Sequence, residues 1–348
     1  MKRKSFAGIE LKTHSNVNKQ KFNFSSSYNK SKDDKKIILG IFKSFKQVIK
    51  NSNDGTGEWD WLQKKKQNNF IKSLSNFSID EITYYLTNMF KTEATYGFTS
   101  PSFSDCIKNP KSFKSDILCN IDSCFEFTDI QNLEQLGTQH GNPYGLCVKN
   151  RIILPDTPRH YYFGHNISRL LKKKTSKPFI IEIGGGYGGL CMQNWKQFKG
   201  NCTLINIDLF PTLITAAYYL KKNNIPINVV SIENPIIKDK YVNLISANDL
   251  NIVIKKIKNC DLIFNSRSLC EMDKKTVSNY FNFINSCKVN YFYHENSNFL
   301  LFPNSKRHIE LMSDDFPINL KKFKLLTKYI SPFTGGCGRY REYIYKHK

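Results

Sequence analysis

Phe179 to Leu190 reads "FIIEIGGGYGGL", in which an isoleucine-rich run passes directly into a segment carrying five glycines. Phenylalanine and isoleucine suit a buried strand, whereas glycine permits backbone conformations and close approaches that a Cβ forbids. The continuation "GGLCMQNWKQF" has helical character. A strand, a bare turn and a helix in that order predict a unit whose N–H groups face a ligand at the carboxyl end of the strand.

The alternation continues on the C-terminal side. "CTLINIDL", "INVVSI", "VNLISA", "CDLIFNS" and "VNYFYHE" read as strands. "PTLITAAYYLKKNN" opens with Pro211 and reads as a helix, as does "DKKTVSNYFNFINSC", with Val277, Tyr280, Phe281 and Ile284 at helical spacing. The expected fold class is α/β, a doubly wound, mostly parallel Rossmann-like sheet. "KKFKLLTKYISPF" and "RYREYIYKH", joined by "TGGCG", predict a closing hairpin that adds an antiparallel strand at the sheet edge.

On the N-terminal side, "TPRHYYFGHNISRLLKKK" predicts a helix with Thr157 as its cap and Pro158 in its first turn. Residues 105–151 carry Gly137, Gly141, Asn142, Pro143 and Gly145 and read as a loop region. "SIDEITYYLTNMF" places Ser78 and Glu81 at capping-box spacing, with Ile82, Tyr85, Leu86, Met89 and Phe90 on one apolar face. Residues 1–36 are rich in Ser, Asn and Lys without an apolar period, the composition of a disordered tail. The expected organisation is this lysine-rich tail, a helical cap region over 37–156, and a ligand-binding α/β domain over 157–348.

The 348 residues carry a formal charge of +23, yet only eight of the 52 basic residues are arginine. Arginine is the residue suited to planar, two-pronged contacts with phosphate and guanine. Dispersed lysines describe a solvated surface, so nucleic acid is not an expected partner, although such a surface favours anionic substrates. The ten cysteines include no CxxC pair, which fits reduced thiols and gives no zinc-site spacing. No run approaches the ~18 apolar residues of a membrane helix, so the expected localisation is cytoplasmic.

Two ligands compete for the turn. Gly184, Gly186 and Gly189 fit GxGxxG, with Asp208 at about the ~20-residue distance of a ribose-binding acid, which fits a nicotinamide dinucleotide and an oxidoreductase. Glu182 distinguishes the second ligand. The pattern Glu182-x-Gly184-x-Gly186-x-Gly188 resembles motif I of class I S-adenosylmethionine-dependent methyltransferases. A carboxylate there attracts a cationic amino group and repels a pyrophosphate. The candidate cofactor-binding residues are Glu182, Gly184, Gly185, Gly186, Gly188, Asp208 and Asn265. Asp208 would accept hydrogen bonds from ribose hydroxyls with either ligand.

"IEIGGGYGGL" and "NIDLFPTLITAAYYL", together with "DLIFNSRSLCEMD" (Asp261–Asp273) and "GNPYG" (Gly141–Gly145), resemble the sugar O-methyltransferase family of bacteria. The likeness runs from about Trp59 to Tyr345. It implies a class I methyltransferase fold with a C-terminal antiparallel strand and an N-terminal helical extension. It also implies S-adenosyl-L-methionine as cofactor and the hydroxyl of a sugar as acceptor, whether free, nucleotide-linked or within a surface glycan. "NSRSLCEM" lacks the N/D-P-P-Y/F pattern of many base-methylating enzymes, which sets RNA behind sugar.

The resemblance supplies no catalytic base, so position must. A sugar hydroxyl needs its proton removed as the methyl group arrives. Glu271 and His294 follow the strands expected to face the sulfonium, and both are candidates. Asp273 reads as a helix cap. Arg267, His140, Tyr162 and His165 are candidate acceptor contacts. No cluster suggests a metal.

Overall fold

The structure, a computed structural model, describes residues 21–29, 34–45, 58–99, 101–250, 257–298, 311–333 and 338–348. Three short strands, β1 (Phe22–Asn23), β2 (Gly145–Val148) and β3 (Arg151–Ile153), form a small antiparallel sheet. The remaining strands are β4 (Phe179–Ile183), β5 (Thr203–Asp208), β6 (Ile227–Val230), β7 (Val242–Ser246), β8 (Asn259–Ser266), β9 (Lys288–Ser297), β10 (Phe323–Ile330) and β11 (Tyr340–His347). They make one eight-stranded sheet in the order β10-β11-β9-β8-β4-β5-β7-β6.

Every pairing from β4 to β9 is parallel, and β11 alone runs antiparallel to its neighbours. The hairpin places β11 between β9 and β10, so the antiparallel strand lies one place in from the edge. The order reverses direction at β4, which is where a doubly wound sheet leaves a crevice at the carboxyl ends of its strands. The fold is the expected Rossmann-like one.

Side-chain parity divides the sheet. Ile181, Ile183, Ile205, Ile207, Ile263 and Phe292 pack on one face with the helix Lys274–Ser286. Ile180, Leu204, Leu262, Phe264, Tyr291 and Tyr293 pack on the other. On that second face the core is continuous with Ile38, Phe70, Leu86 and Ile121, so the N-terminal helices share a core with the sheet. Glu182 and Glu295 follow the second parity, whereas His294 follows the first.

Three local expectations differ from the structure. Residues 110–127, expected to be loop, form an 18-residue helix with Pro110 in its first turn. Its buried residues Ile117, Leu118, Ile121, Cys124 and Phe125 have helical spacing that the surrounding turn residues obscured. Ser78 is the N-cap of Ile79–Thr87 but makes no side-chain capping hydrogen bond. Asp156, not Thr157, occupies the cap position of Thr157–Leu171. Much of the expected tail, residues 1–20 and 30–33, lies outside the described residues, as do residues 334–337 of the hairpin connection. Within that tail Phe22 and Asn23 pair with β2, and a helix begins at Asp34.

Candidate functional site

At the end of β4 the chain turns through Gly184 (φ +70°), Gly185 and Gly186 (φ +55°), and Gly188 (φ +84°) caps the helix Gly189–Gln197. A Cβ on Gly184 would lie 2.1 Å from Ser268 Oγ, and one on Gly185 would lie 2.5 Å from Asn206 Oδ1. One on Gly186 would find nothing nearer than Phe98, at 3.8 Å. Packing therefore requires the first two glycines, while the third leaves open space on the ligand side.

Two carboxyl groups frame this turn. Asp208, at the end of β5, accepts from Gly186 N–H at 2.8 Å and Leu209 N–H at 2.7 Å, which pins the turn against the neighbouring strand. Glu182 is 6% exposed and accepts from the Cys191 thiol at 3.1 Å, a weak donor for a buried carboxylate. Burial raises both groups from the ordinary carboxylate range to about 7. A cation brought to Glu182 would stabilise its charged form.

Glu182, Gly184, Gly185 and Gly186 line a cavity of about 350 Å³. That is the scale of a small-molecule site. Gly188 and Asp208 stand behind its wall and hold the turn. Asn265 also stands behind it, donating to Ile183 O at 2.8 Å and accepting from Asn296 Nδ2 at 2.8 Å.

The opposite wall comes from distant parts of the chain. Trp59 stacks on Phe98 at 5.0 Å between ring centroids and donates its indole N–H to Glu271 at 3.1 Å. The sequence candidates Glu271 and Arg267 both line the cavity. Arg267 is held in the left-handed region (φ +65°), a conformation that costs of order 1–3 kcal/mol. Its N–H donates to Glu295 O at 2.7 Å, and its guanidinium donates to both Glu295 carboxylate oxygens and to Phe333 O. Arg159 donates to the same carboxylate and to Ser266 Oγ, and pairs with Asp156 at 3.5 Å. Burial opposes ionisation of Glu295, but the two arginines outweigh it and hold the carboxyl below its ordinary range.

Four sequence candidates lie elsewhere. His294 is fully buried on the other face of the sheet, stacked on Tyr343 at 4.6 Å and flanked by Phe292, Phe316 and Tyr345. Burial lowers its pKa to about 3 and keeps it neutral. It does not line the cavity, which corrects its assignment as a base. Tyr162 donates to Glu342, and His165 pairs with Asp129 at 3.0 Å. Burial, the largest effect on His140, and nearby Lys222 lower its pKa. None of these three lines the cavity, so the acceptor contacts assigned to them are corrected too. "GNPYG" is a clamp for the N-terminal segments: Asn142 donates to Ser27 O and Asn88 Oδ1, and Tyr144 to Pro101 O. Asp273 accepts from Thr276 N–H at 2.9 Å and caps the following helix.

Sequence reasoning missed Trp59, Phe98, Arg159, His160, Arg339 and Tyr340, all of which line the cavity. His160 contacts the Tyr187 hydroxyl at 3.3 Å through Nδ1. Burial, reinforced by Arg159 and Arg267, keeps its imidazole neutral. One compositional signal was available, since three of the chain's eight arginines meet here.

Among the described residues no group of His, Cys, Asp and Glu is arranged to hold a metal ion, and no helix is long and apolar enough to cross a membrane. No protein-family model and no curated protein matches the chain. Among solved structures the chain is similar to magnesium protoporphyrin IX methyltransferase from Synechocystis PCC 6803 with bound SAM. The identity is 7% and the TM-score 0.38, over 55% of this chain and 81% of that one. It is also similar to the plantazolicin methyltransferase BamL in complex with a triazolic desmethylPZN analog and SAH (14%, TM-score 0.38, 55% and 85%). A third is TrmN from Thermus thermophilus (12%, TM-score 0.36, 59% and 56%). Likeness at these scores names no activity for this chain.

Proposed function

We propose that the chain is an S-adenosylmethionine-dependent O-methyltransferase acting on a sugar hydroxyl, with residues 37–156 forming a cap region beside the α/β domain of residues 157–348. The observation that carries the reading is Glu182, a buried carboxyl beside an open glycine turn whose hydrogen-bond donor is a thiol. A buried carboxylate calls for a paired cation, which the α-ammonium of S-adenosylmethionine provides and a dinucleotide pyrophosphate does not. Glu182 and Gly184 to Gly186 would hold the cofactor's amino acid end, with Asp208 fixing the turn from behind. When bound, S-adenosylmethionine supplies an electrophilic methyl group.

The chain's own residues supply position, dryness and a proton acceptor. Trp59 and Phe98 cover the turn and exclude water. Arg267 orients the acceptor, and Glu271, oriented by the Trp59 indole, takes the hydroxyl proton. The sugar acceptor draws its support from the resemblance carried by "DLIFNSRSLCEMD".

The test is incubation with methyl-labelled S-adenosylmethionine and a panel of monosaccharides, nucleotide sugars and glycan extracts. The expected product is a base-stable methyl ether on a sugar. Label recovered only in RNA or peptide would overturn the sugar acceptor, and a chain that binds NAD but not the sulfonium cofactor would overturn the class.

A further inference from the structure

We propose that Arg267 and Arg339, which flank the Tyr340 ring, together with Arg159 on the same cavity wall, form a site for an oxyanion carried by the acceptor, so that the sugar methylated is an acidic one bearing a carboxylate or a phosphate group. The proposal rests on the methyltransferase reading above and narrows its substrate class.

Composition is the first support. Of the 52 basic residues all but eight are lysine, yet the cavity wall takes three arginines and no lysine among the described residues. A guanidinium presents a planar fork of donors that matches carboxylate and phosphate geometry, whereas a lysine ammonium is a point charge. A wall that merely needed to be basic would draw on the abundant residue.

Charge balance is the second. Arg159 and Arg267 share the single carboxylate of Glu295, and Arg159 also pairs with Asp156. Among the described residues no carboxylate lies within ion-pair distance of Arg339. Its Nε donates to Ser297 Oγ at 3.1 Å, and its guanidinium lies 5.1 Å from the centre of the Tyr340 ring. Arg267 lies over the same ring at 4.1 Å. Arg159 Nε is buried and faces Asp156 at 3.5 Å, an ion pair without hydrogen-bond geometry. Within ion-pair distance the three guanidiniums have two carboxylates, Glu295 and Asp156, both taken by Arg159 and Arg267, while Glu271 on the same wall accepts from the Trp59 indole; Arg339 is therefore the guanidinium that an incoming anion would pair.

Position is the third. Arg339 immediately precedes β11, and β8 and β9 separate β11 from the glycine turn on β4. At about 4.8 Å per strand, its backbone stands roughly 14 Å to the side of that turn. A cation so displaced addresses the acceptor side of the cavity and leaves the cofactor's own carboxylate to groups nearer β4.

The test uses the full chain saturated with S-adenosylhomocysteine and follows the binding of glucuronate, glucose 1-phosphate and glucose by calorimetry at 50 mM salt. At least one anionic sugar is expected to bind ten or more times more tightly than glucose. Whichever does so identifies the anion as carboxylate or phosphate. Arg339→Gln should remove at least tenfold of that affinity and Arg339→Lys less, with melting temperature and S-adenosylhomocysteine affinity held in both. Raising salt to 0.5 M should weaken the anionic sugar and leave glucose unchanged. Glucose binding as tightly as both anionic sugars would overturn the proposal, as would an Arg339→Gln chain with wild-type anion affinity. Selective anion binding by a chain that fails to take up S-adenosylhomocysteine would sink the cofactor reading and leave the oxyanion site standing.

Discussion

At the end of β4, a ligand in the cavity would meet main chain drawn from three consecutive glycines, Gly184 to Gly186. Across the cavity it meets side chains from Trp59, Arg159, Arg267, Glu271 and Arg339, which come together only through folding. Backbone chemistry demands particular residue types at fixed spacing, because only glycine tolerates the φ values and the approach of Ser268 and Asn206. Side-chain chemistry demands positions in space that many spacings can satisfy. A turn so constrained suits a ligand of fixed chemistry, whereas the side chains of the wall can change without disturbing that turn.

The sharpest way to break this contrast is at Gly184. A Cβ there meets Ser268 Oγ and must adopt φ near +70°, so Gly184→Ala should reduce S-adenosylhomocysteine affinity by about 100-fold or more and lower the melting temperature by several degrees. Wild-type affinity in that variant would mean that the turn carries no ligand. On the wall, Glu271→Gln should lower kcat by roughly 100-fold while S-adenosylhomocysteine affinity stays within about twofold. Unchanged turnover would remove Glu271 as the proton acceptor.

The smallest effect is expected at His294, where parity decides the outcome. Asn265 pairs in register with His294, and Ser266 with Glu295, so adjacent residues of β9 point to opposite faces. A histidine at a strand end drew attention as a base, yet it is Glu295 that reaches the arginines of the site. His294→Phe should therefore change turnover less than about twofold. Its signature is in stability. The folded chain holds His294 neutral, with its pKa lowered to about 3, whereas the unfolded chain protonates it near 6.5. Its contribution is present above about pH 6.5 and lost as pH falls toward 3. The phenylalanine variant should lose less stability between pH 6.5 and 4, as followed by thermal melts.

Local patterns carried most of the fold into the sequence. The strands of the parallel sheet, the helix opened by Pro211 and the Asp273 cap all depend on near neighbours. The helix Pro110–Phe127 was obscured by the turn residues that follow it, although its apolar spacing was present. The cavity wall was legible only at Arg267 and Glu271, which sit just beyond a recognisable strand. Trp59 and Arg339 are 280 residues apart in sequence, and no spacing rule joins them.

The central claim is that Glu182 and the glycine turn receive a cationic amino acid nucleoside. Calorimetric titration of the wild-type chain with S-adenosylhomocysteine and with NAD, from pH 5.5 to 8, tests it most directly. Because burial holds Glu182 and Asp208 at about 7, both are largely protonated at pH 5.5 and ionise as pH rises. Affinity for the ammonium-bearing ligand should therefore climb toward pH 7, by up to about tenfold per unit, and then level off. Glu182→Gln should lose Glu182's share of that slope, and NAD should not bind. Tight NAD binding without S-adenosylhomocysteine binding would contradict the account, as would an affinity indifferent to both pH and Glu182.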